Sequence, residues 1–185
     1  MSRTRNLILI ALFAALIAAG AFLRVPIPFL PFTLQTLFTT LAGILLGSRA
    51  GAFSVLVYIL LGLFGLPVFV SGGGPAYIVQ PTFGYLIGFC LGAYVTGRIV
   101  ESRPNPSFRR LLAATFAGLA LIYALGLTYY WIIYTFYVGT GIGFWTLFVY
   151  CFLLAVPGDI LLCVLAAYLG KRLLPIVRER KEERV

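Results

Sequence analysis

Apolar residues run in blocks far longer than a soluble helix needs, and polar positions fall almost entirely between the blocks. Charges stand at Arg3, Arg5, Arg24, Arg49, Arg98, Glu101, Arg103, Arg109, Arg110, Asp159, Lys171, Arg172 and in the stretch from Arg178 to Arg184. Between Arg49 and Arg98 lie 48 uncharged residues, and between Arg110 and Asp159 another 48. A spanning helix needs about 20 apolar residues to cross about 30 Å of hydrocarbon, so each long gap holds two spans and a connection. The shorter gaps, Asn6–Leu23 and Val25–Ser48, hold one each. The pattern predicts six helices.

Helix breakers place them. The spans run about 7–23, 32–47, 51–66, 82–97, 111–131 and 144–169, the last interrupted by Pro157-Gly158, with a charged tail over 171–185. Pro26-Ile27-Pro28 closes the first span, Gly65-Leu66-Pro67 the third, and three glycines within 137–143 separate the fifth from the sixth. The fold class is an all-α integral membrane protein, one domain over residues 1–185. With the N-terminus inside, the inner loops and termini carry 13 Lys and Arg and the outer side only Arg24. The positive-inside rule therefore puts both termini in the cytoplasm. Arg3, Arg5, an apolar run and Ala19-Gly20-Ala21 also fit a cleavable signal peptide, but that reading leaves five spans and loses the inward terminus.

Composition agrees. Of 185 residues, 62% are hydrophobic and 10% charged, against about 45–50% and about 25% in soluble domains. Too few polar groups remain to cover a water-soluble globule. The net charge of +9 reads as topology and headgroup contact rather than nucleic-acid binding. Catalysis needs a base, a nucleophile or a metal set; the chain has no His, no Gly-x-Ser-x-Gly and no phosphate loop with a Lys. No enzyme, cofactor or metal site is expected. Cys90, Cys151 and Cys163 sit in apolar segments without CxxC spacing and read as inert buried thiols.

Three features remain to be explained. Asp159 is the only Asp and the only charge inside a predicted span. A carboxylate there costs at least about 2.5–3.5 kcal/mol on insertion scales, so it faces a cavity, a partner or a ligand, or else caps the helix restarting after Pro157. The loop Val70-Ser71-Gly72-Gly73-Gly74-Pro75-Ala76-Tyr77, followed by Gln80-Pro81-Thr82, is either a flexible connector or a lid whose glycines let backbone approach a ligand. Small residues line faces of span one (Ala11, Ala15, Ala19), span two (Gly43, Gly47) and span four (Gly84, Gly88, Gly92). Such faces let helices approach closely, within the chain for spans two and four, and within it or against a partner subunit for span one.

Four stretches taken together carry a resemblance: Pro31-Phe32-Thr33-Leu34-Gln35-Thr36-Leu37-Phe38, Gly62-Leu63-Phe64-Gly65-Leu66-Pro67-Val68-Phe69, Pro81-Thr82-Phe83-Gly84-Tyr85-Leu86-Ile87-Gly88-Phe89 and Pro157-Gly158-Asp159. They resemble the BioY family, the substrate-capture (S) components of energy-coupling-factor biotin transporters. The resemblance implies a six-helix subunit of a prokaryotic cell membrane that binds biotin in an outward-facing pocket. It implies a transmembrane coupling subunit and two cytoplasmic ATPases as partners, with Ala11, Ala15 and Ala19 as the docking stripe. It further implies that Asp159 accepts the ureido N–H groups. The loop holding Gly73, Gly74 and Tyr77 would be the lid, Thr82 and Tyr85 the pocket wall, and Gln35 a group of span two facing the ligand. Arg24, the outer cation, is expected either on the ligand's carboxylate or as a helix-end anchor. The chain departs from the family pattern at Leu162, where a Lys commonly follows the Asp by three residues, and at Gly74, near the place of a common Asn. Alternatives are an S component for a related acyl carboxylate such as lipoate, or a stand-alone secondary vitamin transporter.

Overall fold

The computed structural model describes residues 3–26, 30–139 and 143–182. Helices dominate: α1 (Arg3–Phe22), α2 (Gln35–Leu46), α3 (Ser48–Leu63), α4 (Phe83–Glu101), α5 (Phe108–Ile132), α6 (Phe144–Phe148) and α7 (Val156–Glu182). Four helical stretches among the described residues are long and apolar enough to cross a bilayer: Thr4–Phe22, Phe83–Glu101, Phe108–Val138 and Trp145–Val177. The second and third expected spans appear as shorter apolar helices, Gln35–Leu46 and Ser48–Leu63. They meet end to end at Gly47, whose φ of 92° is open to glycine and strained for other residues. Glu101 of α4 braces this corner: its carboxylate accepts from the Ser48 backbone N–H at 3.0 Å and the Ser48 hydroxyl at 2.7 Å, satisfying one of the amides that the start of α3 leaves without an intrahelical partner.

The connection between α1 and α2 folds back as a two-stranded antiparallel ribbon, β1 (Arg24–Val25) and β2 (Phe32–Thr33), with Arg24 opposite Thr33. Between α3 and α4 the glycine-rich segment is folded: Phe69 and Gly72 exchange backbone hydrogen bonds at 2.9 and 3.2 Å, and Pro75–Val79 forms a short 3-10 helix.

The sixth expected span differs most. Pro157 does not interrupt a helix. It occupies the first turn of α7, where its missing N–H leaves no bond unmade, and the break falls earlier, at Leu154–Ala155, after a π-helical turn over Val149–Leu153. α7 then runs on through Lys171 and Arg172 to Glu182 with Pro175 inside it, so the described part of the charged tail, residues 171–182, is helical. α5 continues into a π-helical turn, Ile133–Val138, and ends at Gly139. Of the expected break over 137–143, residues 140–142 lie outside the described residues.

The glycines of span four serve packing within the chain. A Cβ at Gly84 would lie 2.2 Å from the Tyr129 side chain, and one at Gly88 2.9 Å from the Ile122 backbone, so α4 and α5 are in near-backbone contact. Two buried apolar clusters result. One holds Ile17, Tyr58, Phe69, Tyr85 and Tyr123; the other holds Phe13, Leu41, Val100, Leu111 and Leu162.

Candidate functional site

A cavity of about 290 Å³ opens among α2, α4, α5 and α7, beneath the β1–β2 ribbon and the glycine-rich loop. Asp159 reaches it from the first turn of α7. Its backbone N–H is already bonded to the Ala155 carbonyl at 3.2 Å, so what it offers is the carboxylate. That side chain is only 7% exposed. The Tyr123 hydroxyl of α5 donates to Oδ2 at 2.5 Å, and Thr36 of α2 lines the same cavity. The carboxylate thus meets a residue of another helix, Tyr123 of α5.

Gln35 also lines the cavity, yet its amide is engaged at both ends. Nε2 donates to the Tyr58 hydroxyl at 2.8 Å, Oε1 accepts from Thr33 at 3.3 Å, and Tyr58 passes its own proton toward the Val68 carbonyl at 3.2 Å. Gln35 therefore ties α2 and α3 to the loop above the cavity.

The loop is fastened by Phe69, 1% exposed, whose ring sits 5.4 Å from Tyr58 and 4.4 Å from Tyr77. It lies against α3 where a Cβ at Gly62 would come within 2.1 Å of its ring. The Gly74 N–H donates to the Gly62 carbonyl at 2.7 Å, and Tyr129 donates to the Ile78 carbonyl at 2.6 Å. Val70, Ser71, Tyr77 and Thr82 face the cavity, as does Tyr85 of α4. Gly73 and Gly74 do not. Gly73 packs against the Leu66 carbonyl, and Gly74 takes a φ of 105° before the 3-10 helix, so their work is to shape the loop.

Arg24 lies outside the lining as well. Its guanidinium donates to the Val70 carbonyl at 2.5 Å, joining the β1–β2 ribbon to the glycine-rich loop. Arg24→Ala should leave the cavity intact while loosening its cover. Stopped-flow measurement should show ligand dissociation faster by about threefold to tenfold, the equivalent of one exposed hydrogen bond. An unchanged dissociation rate would show that the contact holds nothing.

Other expected residues stand elsewhere. Leu162, one turn beyond Asp159, is buried in the apolar cluster away from the cavity. Ala11, Ala15 and Ala19 form an exposed stripe on α1, while Ala14, Ile17 and Ala21 turn inward. Cys151 and Cys163 are buried and Cys90 half-buried, all three unpaired, and no metal-ligating cluster occurs among the described residues.

Sequence reasoning missed Thr36 and the tyrosines. Tyr123, Tyr130 and Tyr134 all line the cavity, and Tyr130 stacks on Tyr134 at 5.2 Å. Their spacing of seven and four was the available signal: it marks one face of a helix.

A model described as BioY family matches residues 1–179. The chain belongs to the BioY family. It is 42% identical over 178 residues to a probable biotin transporter BioY of Lysinibacillus sphaericus, covering 96% of this chain and 91% of that one. To the biotin transporter BioY of Rhizobium etli it is 40% identical over 179 residues, covering 91% and 92%. Its fold superimposes with a TM-score of 0.78 on a crystal structure of the S-component for biotin from an ECF-type ABC transporter, at 27% identity over 94% of both chains. BioY proteins are transporter components, not enzymes. A multi-pass membrane protein of the BioY family accounts for the apolar helices and for a lone carboxylate beneath a folded loop.

Proposed function

We propose that this chain is the biotin-binding S component of an ECF-type ABC transporter in a prokaryotic plasma membrane. The observation that carries the reading is the Asp159 carboxylate, held by the Tyr123 hydroxyl of another helix and facing a covered cavity of vitamin size. Biotin's fused ring presents two N–H donors, which a carboxylate accepts, and its apolar remainder suits walls built from Tyr85, Leu86 and Phe89. Cavities of a few hundred Å³ with few convergent polar groups are the usual form of small-molecule sites. The names borne by the relatives and by the superimposed structure support the same ligand.

In this reading six helical segments cross the membrane with both termini cytoplasmic, α2 and α3 crossing separately in opposite directions with the neighbouring loops completing their length. The glycine-rich loop and the β1–β2 ribbon cover the pocket on the outside. The exposed Ala11, Ala15 and Ala19 face of α1 docks a transmembrane coupling subunit, to which two cytoplasmic ATPases are attached. Lipoate, the other carboxylate considered, has no N–H donor to meet Asp159, so it fits the site less well.

Titration of biotin and lipoate into the purified protein tests the ligand. Nanomolar biotin binding with lipoate weaker by at least about 100-fold, the equivalent of unmade buried hydrogen bonds, is the expected result. Equal binding of both, or of neither, would refute it. Vesicles carrying the chain alone should bind biotin and not accumulate it until the coupling and ATPase subunits are added; accumulation by the chain alone would indicate a secondary transporter.

A further inference from the structure

We propose that Tyr123 is a positioning residue for ligand recognition, its hydroxyl fixing the Asp159 carboxylate so that the unused acceptor sites face the cavity. This rests on the functional reading above and adds to it a residue that does not itself have to touch the ligand. The rotation of an aspartate carboxylate about its last bond is broad and nearly two-fold, so a carboxylate at a cavity wall turns unless something holds it. The Tyr123 ring is 4% exposed and clasped edge-on from two sides, by Tyr85 at 6.0 Å and 90° and by Phe152 at 5.2 Å and 81°. That fixes the direction from which its hydroxyl meets Oδ2 at 2.5 Å.

An ionised carboxylate offers about four lone-pair sites. Tyr123 fills one of them, which leaves acceptor sites for both N–H groups of a cyclic urea. Their orientation depends on a donor that cannot swing, which Tyr123 is and a flexible lysine or a free water is not.

The chain itself supplies a clean reporter. Asp159 is its only aspartate, so protein grown on aspartate labelled with 13C at the side-chain carboxyl, without scrambling, gives one carboxyl signal. Tyr123→Phe keeps the ring and its two edge contacts and removes only the hydroxyl. In ligand-free protein the labelled carboxyl should shift in 13C NMR and in its infrared stretch. Biotin affinity should fall about tenfold, as for loss of one hydrogen bond to a charged group. The thermal midpoint should stay close to that of the parent. In an Asp159→Asn background the same substitution should cost less than about twofold, because a residue acting through the carboxylate has nothing left to position.

An unshifted carboxyl signal, or affinity unchanged in Tyr123→Phe, would overturn the proposal while leaving biotin binding by the parent intact. An equal loss in both backgrounds would make Tyr123 a direct ligand contact or a general packing element, and would also overturn it. A parent protein that binds no biotin would instead bring down the functional reading.

Discussion

Asp159→Asn is expected to weaken biotin binding by at least about 100-fold while leaving the fold as stable as before or more so. The two effects have opposite signs because they come from different properties of one side chain. For binding, the carboxylate presents only acceptors, whereas the asparagine amide replaces one oxygen by an NH2 donor. Whichever way that amide turns, an N–H group meets either the Tyr123 hydroxyl or the ligand's own donor. Truncating one partner of a buried, charged hydrogen-bonded pair typically costs about 2–5 kcal/mol, which sets the scale of the loss. For folding, a carboxylate in an apolar span is unfavourable by about 2.5–3.5 kcal/mol on insertion scales, and the substitution removes that cost. Isothermal titration with thermal unfolding of the same preparations measures both. A variant that binds normally would remove Asp159 from the site, and one that is strongly destabilised would make it a structural residue.

A large loss of stability is expected at Gly43→Ala. A Cβ at position 43 would sit 2.5 Å from the Ala93 carbonyl oxygen and 3.3 Å from the Ala93 Cα. These are backbone atoms of α4, so no side chain can rotate away and α2 must move as a unit. Overpacking of this kind costs about 1–3 kcal/mol, and here the displaced helix carries Gln35 and Thr36 at its first turn. Thermal unfolding in detergent should show a midpoint lower by several degrees, with biotin affinity reduced as well. Gly143→Ala is the comparison: its φ of −61° suits alanine and its Cβ would meet nothing closer than 3.8 Å. Equal midpoints for the two variants would mean that α2 and α4 are less closely packed than described.

How far the sequence reveals this depends on the kind of information each residue carries. The two uncharged stretches of 48 residues locate α3 with α4 and α5 with the start of the last helical stretch, because the exclusion of charge from hydrocarbon is a one-dimensional signal. Asp159 is legible for the same reason, as the exception to that exclusion. Pro157 was misleading: a proline inside an apolar run reads as an interruption, but it sits where a helix begins and interrupts nothing. Arg24 and Gln35 show a different limit. Each is a plausible ligand group by type, and only the fold reveals that Arg24 meets the Val70 carbonyl and Gln35 meets Tyr58. The tyrosines of α5 were hidden by abundance. In a chain with 11 Tyr and 16 Phe, an aromatic ring in a span reads as lipid contact unless the partner of its hydroxyl is known.

The cover of the cavity is attached unevenly, which determines what kind of motion it permits. The glycine-rich loop is bound to the helices behind it by the Tyr58–Val68, Gly74–Gly62 and Tyr129–Ile78 hydrogen bonds and by the buried ring of Phe69. The β1–β2 ribbon meets that loop through the exposed guanidinium of Arg24. In the language of hydrogen exchange, the amides of Gly72 and Gly74 belong to the protected side, and that of Leu34, bonded to the Leu23 carbonyl, to the side that opens first. The segment richest in glycine would then be the frame of the doorway, and Arg24 the latch that closes the ribbon's outer edge against it.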